Sequence, residues 1–260
     1  MNEAIDNFET GLFWEIYKDL ERQFQNFLEY VPPLEGNMGT YSFKLLNLIL
    51  SIGGHIDSCF KDMAKYPSFA DNETCKKILE QLEKNNQCIQ SGKVARPISI
   101  RLCLEAFEKE YKLSQKYVVF KRIPVVHVVT PFASWSSKRT PEWWKTYNDL
   151  KHDVSSNIEK ANLLNTLDAL AGAFLLNVIH IPAAIRMYKY GIIEPSVPQA
   201  FRDIAIGPAY RFSLAPEKKL KNYYEKHRRF LGIVETPLFL YNHEIIGRNE
   251  HGRTKQKLLE

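Results

Sequence analysis

The run Thr140-Pro-Glu-Trp-Trp-Lys-Thr-Tyr-Asn-Asp-Leu-Lys-His152-Asp puts side chains of unlike chemistry on one predicted helix. At helical spacing Trp144, Asn148 and His152 share a stripe, and Tyr147 and Lys151 lie on the adjoining one. Histidine exchanges protons near neutral pH. Cutting RNA through its own 2′-hydroxyl requires a proton acceptor and positive charge near phosphorus, and requires no metal. His152 suits the first role, and Lys145, Lys151 or Arg139 suit the second. The structural alternative is that His152 hydrogen-bonds a neighbouring helix while the tryptophans fill the core. A third use is a small-ligand or nucleotide pocket lined by Trp143 or Trp144.

Several elements must position this run. Thr140 is expected to cap the helix, with Pro141 as its first residue, Glu142 complementing its N-terminus and its end near residue 153. The next predicted helix, Asn157 to Ile181, carries Ala161, Ala169, Gly172 and Ala173, small residues that admit a close neighbour. Its Asn162, Asn165 and Asp168 form a polar stripe able to bond Asn148 or His152, orienting the histidine or fixing helix register. Upstream, apolar periodicity predicts helices over Phe8–Tyr30, ended by Pro32-Pro33, and Tyr41–Lys65. Gly53-Gly54 marks a bend or a close helix approach in the second. His55 and Asp57 follow it and point to different faces. Asp57 meets the His152 face if this helix packs there.

Residues 66–139 read as an insertion, with helices over Glu73–Gln90 and Ile100–Tyr117 and extended runs at Tyr117–Phe120 and Val125–Val129. The C-terminal part holds a predicted basic helix over Pro216–Phe230, where Tyr223, Tyr224 and Phe230 interleave with Lys218, Lys219, Lys221, Arg228 and Arg229. Aromatic and cationic side chains together suit single-stranded RNA, though a charge run is also an ordinary solvated face.

Bulk properties narrow the classes. The chain has 260 residues, 45% hydrophobic and 25% charged, as in an ordinary globular protein. Its net charge of +5 is uneven, since residues 1–65 hold 5 Lys/Arg against 10 Asp/Glu and the excess of cations lies beyond them. Attraction for a polyanion is therefore expected from the middle and C-terminal parts. Met1 to Asp6 lack a basic-then-apolar signal pattern, and the apolar stretch Leu163–Ile185 is interrupted by Asn165, Asp168, Asn177 and His180. These features predict a cytoplasmic protein with no membrane partner. Cys59, Cys75, Cys88 and Cys103 match no zinc-ligand spacing, and reduced thiols with no metal are expected. No phosphate-cradling glycine loop, HExxH or GxSxG motif is present.

The stretch Trp143-Trp-Lys-Thr-Tyr-Asn-Asp-Leu-Lys-His152 resembles the HEPN superfamily of helical domains. The likeness extends to Ala161–Ala171 and to Thr40–Asp57, and so covers about residues 8–65 and 140–185. The resemblance implies a mainly α fold, an up-and-down bundle over residues 1–190 with the 66–139 insertion and a 191–260 C-terminal extension. It further implies a metal-independent endoribonuclease of a defence or toxin–antitoxin system, acting without cofactor as a homodimer, with an operon-encoded protein partner. In that family an arginine, a polar residue and a histidine follow the pattern R-[polar]-x-x-x-H. His152 matches the histidine and Asn148 the polar residue, while Tyr147 stands in the arginine position. A phenol supplies no fixed positive charge. Either Lys145 or Lys151 substitutes, or the chain binds RNA or scaffolds without cutting.

Overall fold

In a computed structural model, which describes residues 2–66, 69–96, 98–121, 127–180, 183, 193–194 and 233–242, the chain is mainly helical with a small antiparallel sheet. The first helix, α1, spans Asn2–Leu28 and buries Trp14, Tyr17, Leu20, Phe24 and Leu28. Their spacing of three and four is the stripe that makes an amphipathic helix pack. The second, α2 (Phe43–Met63), starts at Ser42, whose side chain accepts the Leu45 N–H at 3.2 Å. That bond satisfies one of the free amides at a helix start.

In the predicted insertion, α3 (Glu73–Gln90) is capped by Asn72, which accepts from the Thr74 and Cys75 amides, and α4 (Ile100–Tyr111) by Ser99. The fourth helix stops six residues before the predicted end at Tyr117. Lys112 is left-handed at φ 48°, which closes the helix, and the chain then extends into β1 (Val118–Phe120). There the β-branched run is drawn into a sheet, where it packs better than on a helix. Strand β2 (His127–Val129) pairs with it.

After a 3-10 segment at Ala133–Ser137 come α5 (Glu142–His152), the single turn α6 (Val154–Asn157) and α7 (Leu163–Ile179). The predicted helix from Asn157 to Ile181 therefore begins later. Residues 158–160 tighten into a 3-10 turn, and Asn162 caps α7 by accepting the Asn165 amide at 2.9 Å. Two-residue β3 (Ile193–Glu194) and strands β4 (Ile233–Glu235) and β5 (Phe239–Asn242) complete the sheet in the order β2-β1-β5-β4-β3, all pairs antiparallel. The sheet thus joins strands from the 66–139 segment to strands from beyond residue 190.

Contacts fix how the main helices run. Tyr41 bridges Asn162 at the starts of α2 and α7, His55 meets Asn177 in their second halves, and Asp62 meets His180 at their ends. These two helices therefore run the same way, and they form the most extensive helix pair. Phe13 lies on His180 and Tyr17 on Phe174, so α1 runs opposite to α7. Trp143 covers Gly172 while Asp149 pairs with Lys160, so α5 also runs opposite to α7. Phe239 of β5 stacks on Phe174, which seats the sheet against α7. No helix among the described residues is long and apolar enough to cross a membrane.

Candidate functional site

Helix α5 is held from three sides. Pro141, not Thr140, is the cap residue, in an extended conformation, and no side chain caps this helix. Proline has no N–H to satisfy, which makes it cheap at such a boundary. Trp143 is 2% exposed; its indole N–H donates to the Pro131 carbonyl at 2.7 Å and its ring lies on Gly172. Tyr147 is 8% exposed and its ring fills the space that a side chain at Gly53 would occupy. The glycine pair of α2 is therefore a close approach for Tyr147 through its first member. A Cβ on Gly53 would sit 2.2–2.6 Å from three Tyr147 ring carbons, whereas one on Gly54 meets nothing within 4 Å.

This asymmetry gives a paired prediction. Gly54→Ala is expected to stabilise by up to ~1 kcal/mol through helix propensity. Gly53→Ala gains the same term but must displace a buried ring, and is expected to lose about 1–3 kcal/mol net. Urea unfolding of both variants separates them, and equal effects at the two glycines would contradict the contact.

The remaining residues of the predicted site lie along the exposed side and end of α5. Asn148 is half-buried and donates to the Trp144 carbonyl of its own helix at 3.0 Å. Lys151 is exposed, with its ammonium 5.6 Å from the Tyr147 ring centroid. His152, the last residue of the helix, is exposed. Two cationic-type side chains in a last helical turn complement the negative end of the helix dipole. Lys145 is paired with Glu142 at 2.8 Å on the exposed surface, a contact that competes little with a phosphate. Lys218, Lys219, Lys221, Arg228, Arg229 and the predicted basic helix lie outside the described residues.

The network expected around His152 does not form. Asn162 is occupied as the cap of α7, and Asn165 donates to the Lys160 carbonyl at 3.0 Å. Asp168 makes no hydrogen bond among the described residues, and burial pushes its carboxyl up to about 6. Asp57 pairs with Lys61 on its own helix. The structure thus leaves Lys151 and His152 exposed beside the half-buried Asn148 and turns Tyr147 inward. The reason is spacing: 143, 147 and 150 form the buried stripe of α5, and 148 and 152 fall outside it.

A second polar cluster lies elsewhere, in the seam between α2 and α7. His55, Cys59, Asp62 and Tyr66 recur along one face at and beyond the end of α2, and Asn177 and His180 face them. The His55 Nε2 accepts from Asn177 Nδ2 at 2.8 Å, and that amide also donates to the Ala173 carbonyl at 2.9 Å. His180 Nδ1 accepts the Ala183 N–H at 3.3 Å, which leaves its Nε2–H to donate to Asp62 at 2.9 Å. Burial lowers His180, with Asp62 opposing; burial raises Asp62, but His180 and Lys65 outweigh it and hold the carboxylate low. Burial drives the His55 imidazole down to about 4, with His180 adding to the effect. Cys59 is fully buried and its thiol is pushed well up, so it is no nucleophile. The sequence reading set His55 and Asp57 on different faces and named no partner for His55. The usable signal was the 55/59/62/66 spacing set against 177/180. The described residues contain no group of three or more His, Cys, Asp or Glu placed to hold a metal ion.

Comparison of the chain with protein-family models, with curated proteins and with solved structures finds no match.

Proposed function

We propose that this chain is a HEPN-like, RNA-directed helical protein that meets RNA at the C-terminal end of α5. The observation that carries the proposal is the exposure of His152 beside Lys151 and Asn148, on a helix otherwise fixed by buried Trp143 and Tyr147. A proton-exchanging ring and a cation on a rigid, solvent-open helix end suit a phosphodiester better than a core. The alternation of α1, α2, α5 and α7 in direction supports the HEPN-like up-and-down arrangement. Catalysis would bring two such helix ends together in a homodimer, with His152 as acid or base and Lys151 supplying charge.

The test uses purified protein, a labelled single-stranded RNA and gel analysis of products. His152→Ala is expected to lower cleavage by about 10²–10⁴-fold. Because the side chain is exposed, unfolding stability is expected to stay within ~0.5 kcal/mol of wild type. A large stability loss with no change in RNA handling would point instead to a structural histidine and sink the proposal.

One observation favours a second reading, a module of the same fold that binds RNA or a protein partner without cutting. Tyr147 occupies the family's arginine position and is packed under α2, so no fixed cation stands there. Under that reading RNA is bound, wild type leaves it intact, and Lys151→Ala weakens binding more at low than at high salt.

A further inference from the structure

Exposed apolar side chains concentrate at one end of the packed helices. Of the ten large hydrophobic residues that stand exposed among the described ones, five are Tyr30, Leu34, Tyr41, Phe43 and Leu164. Tyr30 is 84%, Phe43 77% and Tyr41 49% exposed. Single exposed apolar residues are ordinary, but a cluster of them marks a surface that another molecule covers.

The backbone builds the cluster. Because α1 runs opposite to α7 and α2 runs with it, the end of α1 meets the starts of α2 and α7. The Leu163 N–H donates to the Thr40 carbonyl at 2.9 Å and the Leu164 N–H to the Met38 carbonyl at 3.0 Å. The loop between α1 and α2 is thereby laid along the first turn of α7. Ser42 is extended, at φ −163° and ψ 163°, and its hydroxyl turns in to cap α2. Residues on either side of an extended position project together, so Tyr41 and Phe43 stand on the outer side, beside Leu164. Asn37 donates to the Pro32 carbonyl at 2.9 Å, which closes the part of the loop that carries Leu34. These bonds fix the surface through backbone and capping groups, so its apolar side chains are held in place before any partner arrives.

Charge selects the partner. In residues 28–44 and 158–165 the acidic side chains are Glu29, Glu35 and Glu159, all exposed. Of the two lysines there, Lys160 is committed to Asp149 at 2.6 Å and Lys44 remains. Three carboxylates against one uncommitted ammonium repel a phosphate backbone. They also disfavour a second copy docked about a two-fold axis, which would set the acidic rim against itself.

We propose that this end of the molecule is a docking surface for a separate protein, which lays on it an apolar segment flanked by lysine or arginine. Exposed aromatic rings held by a fixed backbone serve as anchors for such a segment. The partner's cations would meet Glu29, Glu35 and Glu159 at the rim, where charge contributes more to selectivity than to affinity.

Phage display of random peptides on the full chain, with depletion on Phe43→Ser, tests the proposal. Phe43 is exposed, so the variant is expected to unfold at the same urea concentration as wild type. Should it not, Tyr30→Ser, at the most exposed position of the patch, takes its place. Peptides retained by wild type and lost on the variant are expected to be apolar and net positive. A synthetic copy of one, followed by fluorescence anisotropy, is expected to bind Phe43→Ser about tenfold more weakly or worse. Its affinity for wild type is expected to fall as salt rises, and to fall at low salt in the double variant Glu35→Lys, Glu159→Lys. Failure to retain any peptide in preference to the variant would overturn the proposal, and so would retained peptides that are acidic or uncharged. A wild-type dimer in sedimentation that Phe43→Ser dissociates would assign the surface to a second copy. Single-stranded RNA binding that Phe43→Ser abolishes would assign it to nucleic acid, and either result would overturn the partner proposed.

Discussion

Trp143→Ala is expected to destabilise the protein by about 3–5 kcal/mol, the range for deleting a large buried aromatic. The ring lies on Gly172 of α7 and makes edge contacts with Phe132 and Trp144, each at a centroid separation of 5.7 Å. The cavity left by alanine cannot close easily, because one wall is the backbone of a helix. The substitution also leaves the buried Pro131 carbonyl without the indole donor that reaches it at 2.7 Å. Trp143→Phe keeps most of the apolar contact and loses the hydrogen bond, so a loss of about 1–3 kcal/mol is expected. Urea denaturation of the two variants measures both. An alanine variant within ~1 kcal/mol of wild type would contradict the packing of α5 on α7. The same ring sets where the end of α5 stands, so under the proposed RNA-directed function binding at Lys151 and His152 should weaken in Trp143→Ala even at temperatures where most of it is folded.

Glu21→Ala should produce the second large effect, about 2–4 kcal/mol, by leaving two buried donors without an acceptor. Glu21 of α1 is 3% exposed; its carboxylate accepts the Thr236 hydroxyl and, at 3.1 Å, the Leu238 amide. Thr236 in turn accepts the Phe239 amide at 3.0 Å, so one side chain of α1 organises the turn between β4 and β5. Glu21→Gln preserves the acceptor oxygen and removes the buried charge. It is expected to stay within about 1 kcal/mol of wild type. Burial raises the Glu21 carboxyl above its ordinary value, against the hydrogen bonds from Thr236 and Leu238. A raised folded value means that the group's favourable contribution is complete at acid pH and declines as pH rises through that value. Stability of Glu21→Gln relative to wild type should therefore improve from pH 4 to pH 7. Thermal unfolding of the three proteins across that range checks the sign, and a glutamine variant as weak as the alanine one would show that charge, not acceptor geometry, holds the turn.

Much of the helical frame was legible from residue spacing. The recurrence of Phe13, Tyr17, Leu20, Phe24 and Leu28 pointed to an amphipathic helix, and Glu73–Gln90 matched its prediction at both ends. Capping was read only in part: Ser42, near the predicted start at Tyr41, caps α2. It misled at Thr140, because the following proline took the cap position itself. The end of α4 was not legible, since nothing local to Lys112 announces a left-handed turn; strands far along the chain claim the residues after it.

The amino-acid sequence alone determined a mainly helical protein, the position of α5, and the presence of Asn148, Lys151 and His152 along it. A helix's periodicity follows from local backbone geometry, so it can be read without knowing any neighbour. Which face of α5 turned inward, and therefore that Tyr147 packs on Gly53 while His152 meets solvent, was decided only by tertiary structure. So was the seam of His55, Asp62, Asn177 and His180, residues more than 100 positions apart in part. Such pairings depend on the alignment of helices separated by long stretches of chain, and that alignment comes from the packing of the whole core rather than from any segment of it.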